Sequence, residues 1–376
     1  MIIVMKEDIL PDSPEVQRLR RMVQDFPDVR MEVTTIQGVT RVLTEIHLLG
    51  PTAVVPTSLF EQAAGVERVI RVREKFRAIG RHGEAEPLGF TYNGLTFDQN
   101  SFHIFAGLCA VDNRENVERT FAGLQRLGIK TTRAGAYKPR TSPYDFQGHG
   151  KACLPYVFEL AGKYGIRAIA MEVTREAHVD EIHNALHAAG NPTGVFLQIG
   201  TRNAQNFELL KVVGQQDLPV LYKRGMGITL DESLNACEYI ASSGNLRIVF
   251  CLRGVKTHLG APHRNFVDFA HVPVVRRLSR LPVCIDPSHS VGKRNVAPDG
   301  LYDIHHATAQ GIIAGANMVL VDFHPQPEEA LCDGPQALVL EELEHFVEDA
   351  QLVREAFERR TKRATQAHES GRLRSA

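Results

Sequence analysis

The stretch "IRAIAMEVTREAHVDEIHNALHAAGNPTGVFLQIG", residues 166–200, has two short apolar runs with a polar segment between them. Residues 166–173 and 194–200 are mostly apolar and rich in residues that favour strands, whereas residues 176–189 have helical periodicity. A strand without polar alternation is typical of a parallel sheet that is covered on both faces. The stretch therefore predicts one strand–helix–strand unit with parallel strands.

The same alternation repeats along most of the chain, from about residue 99 to residue 357. Eight apolar runs are recognisable: "FHIFAGLCAV", "IKTTRAGAY", "IRAIAMEV", "GVFLQIG", "LPVLYKRG", "LRIVFCLRG", "LPVCIDPSH" and "NMVLVDFHP". Eight such units in a segment of roughly 260 residues predict a (β/α)₈ TIM barrel over residues 99–357. An open doubly wound sheet is the alternative, but no GxGxxG turn follows any of the strands.

The regions outside the predicted barrel have different patterns. Residues 1–88 contain short strands and amphipathic helices in the order of a small ferredoxin-like α+β domain. Residues 89–98 are predicted to be a linker between the two domains. Residues 358–376 are polar and basic, and we expect them to form a disordered tail.

Composition restricts the class of protein. The chain has 376 residues, 43% hydrophobic and 23% charged, with a formal net charge of -1. These values are ordinary for a soluble globular protein and argue against binding nucleic acid through bulk charge. Neither a signal peptide nor an apolar run long enough for a membrane span is recognisable, so we expect a cytoplasmic protein without a membrane partner. The six cysteines include no CxxC pair, and we expect free, mostly buried thiols.

Cations follow several of the predicted strands. In a TIM barrel, active-site residues lie at the carboxyl ends of the strands. Cations that converge there repel one another unless an anion is bound, and Arg and Lys are the usual partners of phosphate and carboxylate. The alternative is surface charge paired with helix residues. The pattern predicts a substrate with several negative charges, held by Lys138, Arg140, Arg202, Lys223, Arg224 and Arg253.

A second group at the same strand ends has the residue types of a divalent metal site. One thiolate with nitrogen and oxygen ligands suits Mn, Fe, Co or Zn better than Mg or Ca. Taken singly, a cysteine on a barrel strand is more often part of the core. The candidate ligands are Cys109, His289, Asp322 and Asp333, with His324 in reserve. Cys332, beside Asp333, is a further thiol that either competes for a soft metal or pairs with Cys109 on oxidation.

Several long motifs together resemble one enzyme family. They are "GAYKPRTSPYDFQGHG" (135–150), "LQIGTRNAQNF" (197–207), "PVLYKRG" (219–225), "DPSHS" (286–290) and "HPQPEEALCDGPQAL" (324–338). In this order they resemble the 3-deoxy-D-arabino-heptulosonate 7-phosphate (DAHP) synthase family, over about residues 99–356. The subgroup with an N-terminal ferredoxin-like regulatory domain is the most similar.

The resemblance implies a metal-dependent condensation of phosphoenolpyruvate with erythrose 4-phosphate, the first step of the shikimate pathway. It implies that Cys109, His289, Asp322 and Asp333 bind the metal. It further implies substrate binding by Arg133, Lys138, Arg140, Thr141, Arg202, Lys223 and Arg253, and catalytic roles for Lys138, Asp286 and Glu172. It also implies a homo-oligomer, dimer or tetramer, and an aromatic amino-acid effector at the N-terminal domain. For that domain an oligomerisation role is the alternative.

The chain departs from the family pattern at a few positions. Asp322 stands where the family usually has Glu, so its carboxylate reaches about 1.5 Å less far. The other departures are Leu108, Thr201, Leu252, His263 and Lys293. They suggest altered metal use or an altered aldehyde. A synthase for another sugar aldehyde and a non-catalytic anion-binding relative are therefore alternative functions.

Overall fold

The computed structural model describes the chain over residues 1–7, 9–37, 42–71, 75–82 and 86–370. Within these residues no helix is both long and apolar enough to cross a lipid bilayer. The last residues of the predicted tail, 371–376, lie outside the described part of the chain.

The N-terminal segment forms a four-stranded antiparallel sheet with two helices. Its elements are β1 (Ile2–Met5), α1 (Pro14–Val23), β2 (Arg30–Gln37), β3 (Val42–Leu49), α2 (Ser58–Glu61) and β4 (Val66–Ile70). The strand order is β2-β3-β1-β4, which is the ferredoxin-like order predicted from the sequence. Helix α1 begins after Ser13, whose hydroxyl accepts a hydrogen bond from the Val16 amide. Val16 and Leu19 then pack against Ile3 and Ile46 of the sheet.

A β-hairpin follows, where the sequence predicted a linker. Its strands are β5 (Phe90–Tyr92) and β6 (Leu95–Phe97). Phe97 packs edge-on against Phe196 of the barrel, with ring centroids 4.8 Å apart, and stacks on Phe90 at 5.4 Å. The prediction of a linker over residues 89–98 is therefore wrong, because these aromatic side chains cover the apolar interior at the amino ends of the barrel strands.

The rest of the chain forms the predicted (β/α)₈ barrel. Its parallel strands are β7 (His103–Leu108), β8 (Thr131–Ala134), β9 (Ala168–Val173), β10 (Gly194–Ile199), β11 (Val220–Lys223), β12 (Ile248–Leu252), β13 (Val283–Ile285) and β14 (Met318–His324). They follow one another around the sheet in chain order. The ring closes through the pairing of β14 with both β7 and β13. A short strand, β15 (Leu338–Val339), extends the sheet beside β14.

Helices cover the outside of the barrel. They are α3 (Arg114–Arg126), α4 (Leu154–Lys163), α5 (Glu176–Ala188), α6 (Phe207–Gly214), α7 (Leu230–Ser242), α8 (Val272–Leu278), α9 (Pro287–Val291), α10 (Asp303–Ile313) and α11 (Leu343–Glu369). Helix α11 continues to Glu369, so the disorder predicted for residues 358–369 is wrong. Two intrahelical contacts stabilise this extension: Arg354 pairs with Glu358 at 2.7 Å, and Thr361 bonds the carbonyl of Phe357.

A buried ion pair joins the N-terminal sheet to the barrel. Glu45 of β3 and Arg280, just before β13, are 4% and 2% exposed, with 3.2 Å between carboxylate and guanidinium. Burial raises the pKa of Glu45, but the hydrogen bond to His47 and the charge of Arg280 outweigh it, so the pKa lies below its usual value. Both groups are therefore charged at neutral pH.

Replacing Arg280 with methionine should lower the free energy of unfolding by about 3–5 kcal/mol, because Glu45 would remain buried without its counter-ion. Chemical denaturation at pH 7 measures this. The matched control is Arg114→Met, since Arg114 pairs with Glu159 on the surface at 2.7 Å, where solvent screens the charges, and its loss should change the free energy of unfolding far less. Equal losses in the two variants would contradict the prediction.

Candidate active site

The position of the site follows from the alternation of side chains along the barrel strands. On β9, Ala168 and Ala170 pack in the barrel interior, and Glu172 follows at the same spacing of two. On β11, Leu221 is interior and Lys223 comes next in the same way. Because successive residues of a strand alternate between faces, the charged residues are the upper layer of the interior set. The barrel interior is thus apolar towards the amino ends of the strands and ionic at their carboxyl ends.

The cations converge on a cavity of about 150 Å³ at this end of the barrel. Five of those predicted from the sequence line it, together with one that was not predicted: Lys138, Arg140, Arg202, Lys223, Arg253 and Arg264. The carboxylates that line it are Asp145, Glu172 and Asp333. The cavity therefore carries more positive than negative charge, as a polyanionic ligand requires.

Arg253 is the cation of the cavity that most clearly requires an anionic partner. Its side chain is 2% exposed and lines the cavity, yet its Nε and Nη1 have no hydrogen-bond partner among the described residues. Burial lowers the pKa of Arg253, although the nearby charge of Asp286 opposes this effect. Buried donors of this kind are almost always paired in native proteins. A phosphate or carboxylate group would supply the acceptors.

Thr141 and Arg140 of the loop after β8 form the outer wall. Thr141 accepts a hydrogen bond of 3.2 Å from Arg202, which lies in the turn after β10. Arg140 pairs with Asp145 at 3.4 Å within its own loop. The loop after β8, predicted to bind substrate, therefore contacts the turn after β10, two strands further round the barrel.

Lys138 connects the cavity to the cysteine at its floor. Its ammonium group is 3.1 Å from the sulfur of Cys109 and 3.8 Å from the carboxylate of Glu172. Burial lowers the pKa of Lys138, but the surrounding negative groups reverse the effect, so the pKa lies above its usual value. Lys138 therefore stays cationic in a position that is 7% exposed.

Glu172 lies tight against the turn that follows β10. A Cβ atom at Gly200 would lie 1.8 Å from Glu172 Oε1, so a side chain there would displace the carboxylate. Gln198 contributes a further contact of 3.5 Å from its amide nitrogen. Glycine at position 200 therefore allows Glu172 to face the cavity.

Three candidate metal ligands form a triangle below Lys138. Cys109 Sγ is 3.7 Å from His289 Nε2 and 3.1 Å from Asp333 Oδ2, and these last two atoms are 3.6 Å apart. Ligands at bond lengths of about 2.0–2.3 Å in a tetrahedral site are separated by roughly 3.3–3.8 Å. The triangle thus fits a divalent ion without large movement.

Asp322 is less available than the other predicted ligands. Its Oδ1 forms an ion pair with Arg133, and its Oδ2 accepts a hydrogen bond of 2.6 Å from Gln336. Its contact with His289 is 3.8 Å long and is made with Nδ1. Both oxygens of Asp322 are thus engaged with protein groups.

Three charged residues predicted for the site lie behind it and do not line the cavity. Arg133 is 3% exposed and paired with Asp322. Arg224 pairs with Asp268 at 2.9 Å. Asp286 is fully buried, forming an ion pair with Lys223 and accepting from the His289 ring at 3.0 Å. Asp286 therefore positions these two side chains, and it does not contact the cavity.

His324, held in reserve as a ligand, points elsewhere. Its Nε2 lies 2.7 Å from a carboxylate oxygen of Asp112, and its Nδ1 accepts from the Gln326 amide. This pair joins β14 to the loop that precedes α3. His324 therefore has a structural role.

Sequence reasoning missed two residues that complete the site. Arg264 donates to Asp333 at 3.2 Å and to the Gln336 side chain at 2.8 Å. Gln336 in turn donates to Asp322. Arg264 lies in the long loop after β12, on the same end of the barrel as the other cations, and that placement was the available signal.

The departures from the family pattern lie close to these residues. Thr201 lines the cavity, and its hydroxyl donates to the carbonyl of Arg224 at 2.8 Å. His263 lies 3.3 Å from Asp303, away from the triangle. Leu108 is buried at the end of β7, directly before Cys109. None of them displaces a cation from the cavity.

Metal uptake should release protons and strengthen as the pH rises to about 9. Burial lowers the pKa of His289, but the Asp286 carboxylate more than compensates, and the pKa rises to about 9. A hydrogen bond with Cys332, together with burial, raises the pKa of the Cys109 thiol well above its usual value. Both groups are therefore protonated at pH 7, and a metal ion must displace these protons. Calorimetry in buffers of different ionisation enthalpy counts them, and an affinity independent of pH between 6.5 and 9 would contradict the prediction.

Several known proteins are similar to this chain over most of its length. The sequence profile described as the DAHP synthetase I family matches residues 88–359. The phospho-2-dehydro-3-deoxyheptonate aldolase of Thermotoga maritima is 36% identical over 95% of this chain and 98% of its own length. A 2-dehydro-3-deoxyphosphooctonate aldolase of Syntrophobacter fumaroxidans is 28% identical over 71% of this chain and 94% of its own.

A solved structure is also similar over nearly the whole chain. The crystal structure of the phospho-2-dehydro-3-deoxyheptonate aldolase (DAHP synthase) from Thermotoga maritima superposes with a TM-score of 0.69 at 34% identity. The match covers 94% of this chain and 97% of that one, so it includes the N-terminal sheet as well as the barrel. The matched profile and the extent of these similarities establish that the chain belongs to the DAHP synthetase I family.

Proposed function

We propose that this protein is a metal-dependent DAHP synthase, which condenses phosphoenolpyruvate with erythrose 4-phosphate in the first step of the shikimate pathway. Family membership and the relative from Thermotoga maritima support the reaction class. The observation that carries the proposal is the position of Lys138, which lines the cationic cavity and contacts Cys109 of the metal triangle. One substrate can therefore meet both the anion site and the metal site.

The reaction forms one carbon–carbon bond and breaks one carbon–oxygen bond. The C3 carbon of phosphoenolpyruvate attacks the aldehyde carbon of erythrose 4-phosphate, water adds to C2, and inorganic phosphate leaves from C2. A bound divalent ion would polarise the aldehyde oxygen. Cys109, His289 and Asp333 would hold this ion, because their ligand atoms already lie within 3.7 Å of one another.

The cations of the cavity would divide between the two substrates. Lys223, Arg253 and Arg202 would hold the phosphate and carboxylate of phosphoenolpyruvate, with Lys138 beside its reacting end. Arg140 and Thr141, which form the outer wall, would bind the phosphate of the aldehyde. Fixed opposing charges at these positions would offset the repulsion between two anionic substrates and hold them in reactive contact.

Two acidic residues would support this chemistry in different ways. Glu172 faces the cavity at 3.8 Å from Lys138, so it is placed to orient a water molecule or the lysine itself. Asp286 accepts from the His289 ring, which fixes Nδ1 as the donor and leaves Nε2 directed at the triangle. Glu172 is therefore the candidate catalytic residue, whereas Asp286 is a positioning residue.

The test is the ultraviolet absorbance of phosphoenolpyruvate with purified protein, Mn²⁺ and erythrose 4-phosphate. Loss of absorbance with equimolar phosphate release is the expected result. The alternative aldehyde is a five-carbon sugar phosphate, which would give an eight-carbon product like that of the phosphooctonate aldolases. If phosphoenolpyruvate is consumed faster with that aldehyde than with erythrose 4-phosphate, the five-carbon sugar phosphate is the substrate and the proposed one is wrong.

We further propose that the N-terminal sheet is a regulatory domain for an aromatic amino acid, in a homo-oligomer. The buried Glu45–Arg280 pair supports the proposal, because it links the sheet to the segment just before β13, the strand that Asp286 follows. Tyrosine and phenylalanine should inhibit the full chain, and deletion of residues 1–88 should relieve this inhibition. Inhibition that persists after the deletion would contradict a regulatory role for the N-terminal sheet.

A further inference from the structure

Cys332 lies beside two members of the metal triangle, Cys109 and Asp333. Its side chain lines the cavity and is 7% exposed. Its thiol donates to Asp333 Oδ2 at 3.2 Å, the same oxygen that accepts from Cys109 at 3.1 Å. The sulfur atoms of Cys109 and Cys332 and an oxygen of Asp333 all lie within 4.8 Å of one another.

The backbone explains how two consecutive residues reach the same site. Asp333 has a φ of 56°, in the left-handed region that residues other than glycine seldom adopt. In extended chain, neighbouring side chains point in opposite directions, whereas this turn brings Cys332 and Asp333 together beside Cys109.

Asp322 is the other candidate for the fourth ligand, because one ligand atom each of Cys109, His289 and Asp322 lies within 4.8 Å of the others. Its nearest contact with His289 is to Nδ1, the nitrogen that also faces Asp286. The triangle, however, is formed by Nε2 on the other side of the ring. Each oxygen of Asp322 already has a protein partner, Arg133 for Oδ1 and Gln336 for Oδ2.

We propose that Cys332 is a metal ligand, so that Cys109, Cys332, His289 and Asp333 form the coordination sphere and Asp322 remains an outer carboxylate. The inference rests on the proposed metal site and adds a second thiolate to it. Paired thiolates select thiophilic ions, so the site should prefer Zn²⁺, Co²⁺ or Fe²⁺ to Mn²⁺ and exclude Mg²⁺.

Cobalt substitution counts the thiolates directly. Protein loaded with Co²⁺ under reducing conditions should absorb in the near ultraviolet through sulfur-to-cobalt charge transfer. In Cys332→Ser the intensity per bound cobalt should fall by about half, since one of two thiolates is lost. Its affinity for Co²⁺, measured against a competing chelator, should fall about tenfold or more.

Two further variants serve as controls. Cys153→Ser should keep both the band and the affinity, because Cys153 is buried at the start of α4 and donates to the carbonyl of Gly150. Asp322→Asn should keep the intensity per cobalt, since it removes no sulfur. A thiol titration before loading confirms that Cys109 and Cys332 are both reduced.

Each unfavourable outcome has a distinct meaning. Unchanged intensity and affinity in Cys332→Ser would overturn this inference and leave the triangle intact. A tenfold loss of affinity in Asp322→Asn, without one in Cys332→Ser, would assign the fourth position to Asp322. The lack of any charge-transfer band in the unmodified protein would refute the metal site as well. Consumption of phosphoenolpyruvate is assayed separately, so the proposed function can stand or fall independently.

Discussion

Replacing Lys138 with methionine should lower kcat/KM for phosphoenolpyruvate by about a hundred- to a thousandfold, the loss typical of removing one fixed donor from a water-excluded site. The ammonium group is buried between Cys109 and Glu172 and keeps its charge there. Methionine preserves most of the stem volume but not the charge. The variant should therefore fold normally and fail in turnover.

Steady-state kinetics at saturating metal measure this effect. Lys151→Met is the matched control, because Lys151 is an exposed lysine shortly after the same loop and its loss should leave kcat/KM unchanged. Thermal unfolding of both variants confirms that the fold is intact. A Lys138→Met enzyme that retains a tenth or more of the activity would remove Lys138 from the catalytic residues.

Removal of divalent metal should abolish consumption of phosphoenolpyruvate, and addition of Co²⁺, Zn²⁺ or Mn²⁺ should restore it. The physical reason is that Cys109, His289 and Asp333 bring a thiol, an imidazole and a carboxylate within 3.7 Å of one another, at the spacing of metal ligands. Elemental analysis after dialysis against a chelator and a rate assay before and after metal addition test this.

Two histidine variants make the same test specific for the site. His289→Gln should lose activity that added metal does not restore, because the variant lacks the imidazole nitrogen of the triangle. His324→Gln should respond to metal like the unmodified protein, since His324 pairs with Asp112 outside the triangle. Full activity in protein that elemental analysis finds free of metal would refute the metal requirement.

Much of the fold was predictable because it depends on local pattern. Mostly apolar runs such as residues 166–173 reflect strands that are buried on two faces. The helical periodicity of residues 176–189 reflects a helix that is buried on one face. Both patterns can be recognised in a short segment of sequence. The hairpin at residues 90–97 was missed, because its role depends on aromatic contacts with Phe196, about a hundred residues away. The helix beyond residue 357 was missed since its charged composition also suits a disordered tail.

The site was predictable in kind but not in detail. The sequence by itself determined the barrel, the excess of cations at the strand ends and the presence of Cys109, His289 and Asp333, because strand order and side-chain alternation already place these groups at one end. Only the tertiary structure decided which charges neutralise each other. It pairs Arg133 with Asp322 and Arg224 with Asp268. Arg253 faces the cavity, and two of its donors have no partner in the described part of the chain.

The same limit applies to Cys332 and Arg264. The sequence marked Cys332 as a thiol near the metal site and did not mark Arg264, but it gave the contacts of neither residue, since each lies in a loop. Ion pairs and metal ligands depend on distances of a few ångströms between residues far apart in the chain. Those distances exist only after the ring of strands has closed through β14, which is why tertiary structure alone determined them.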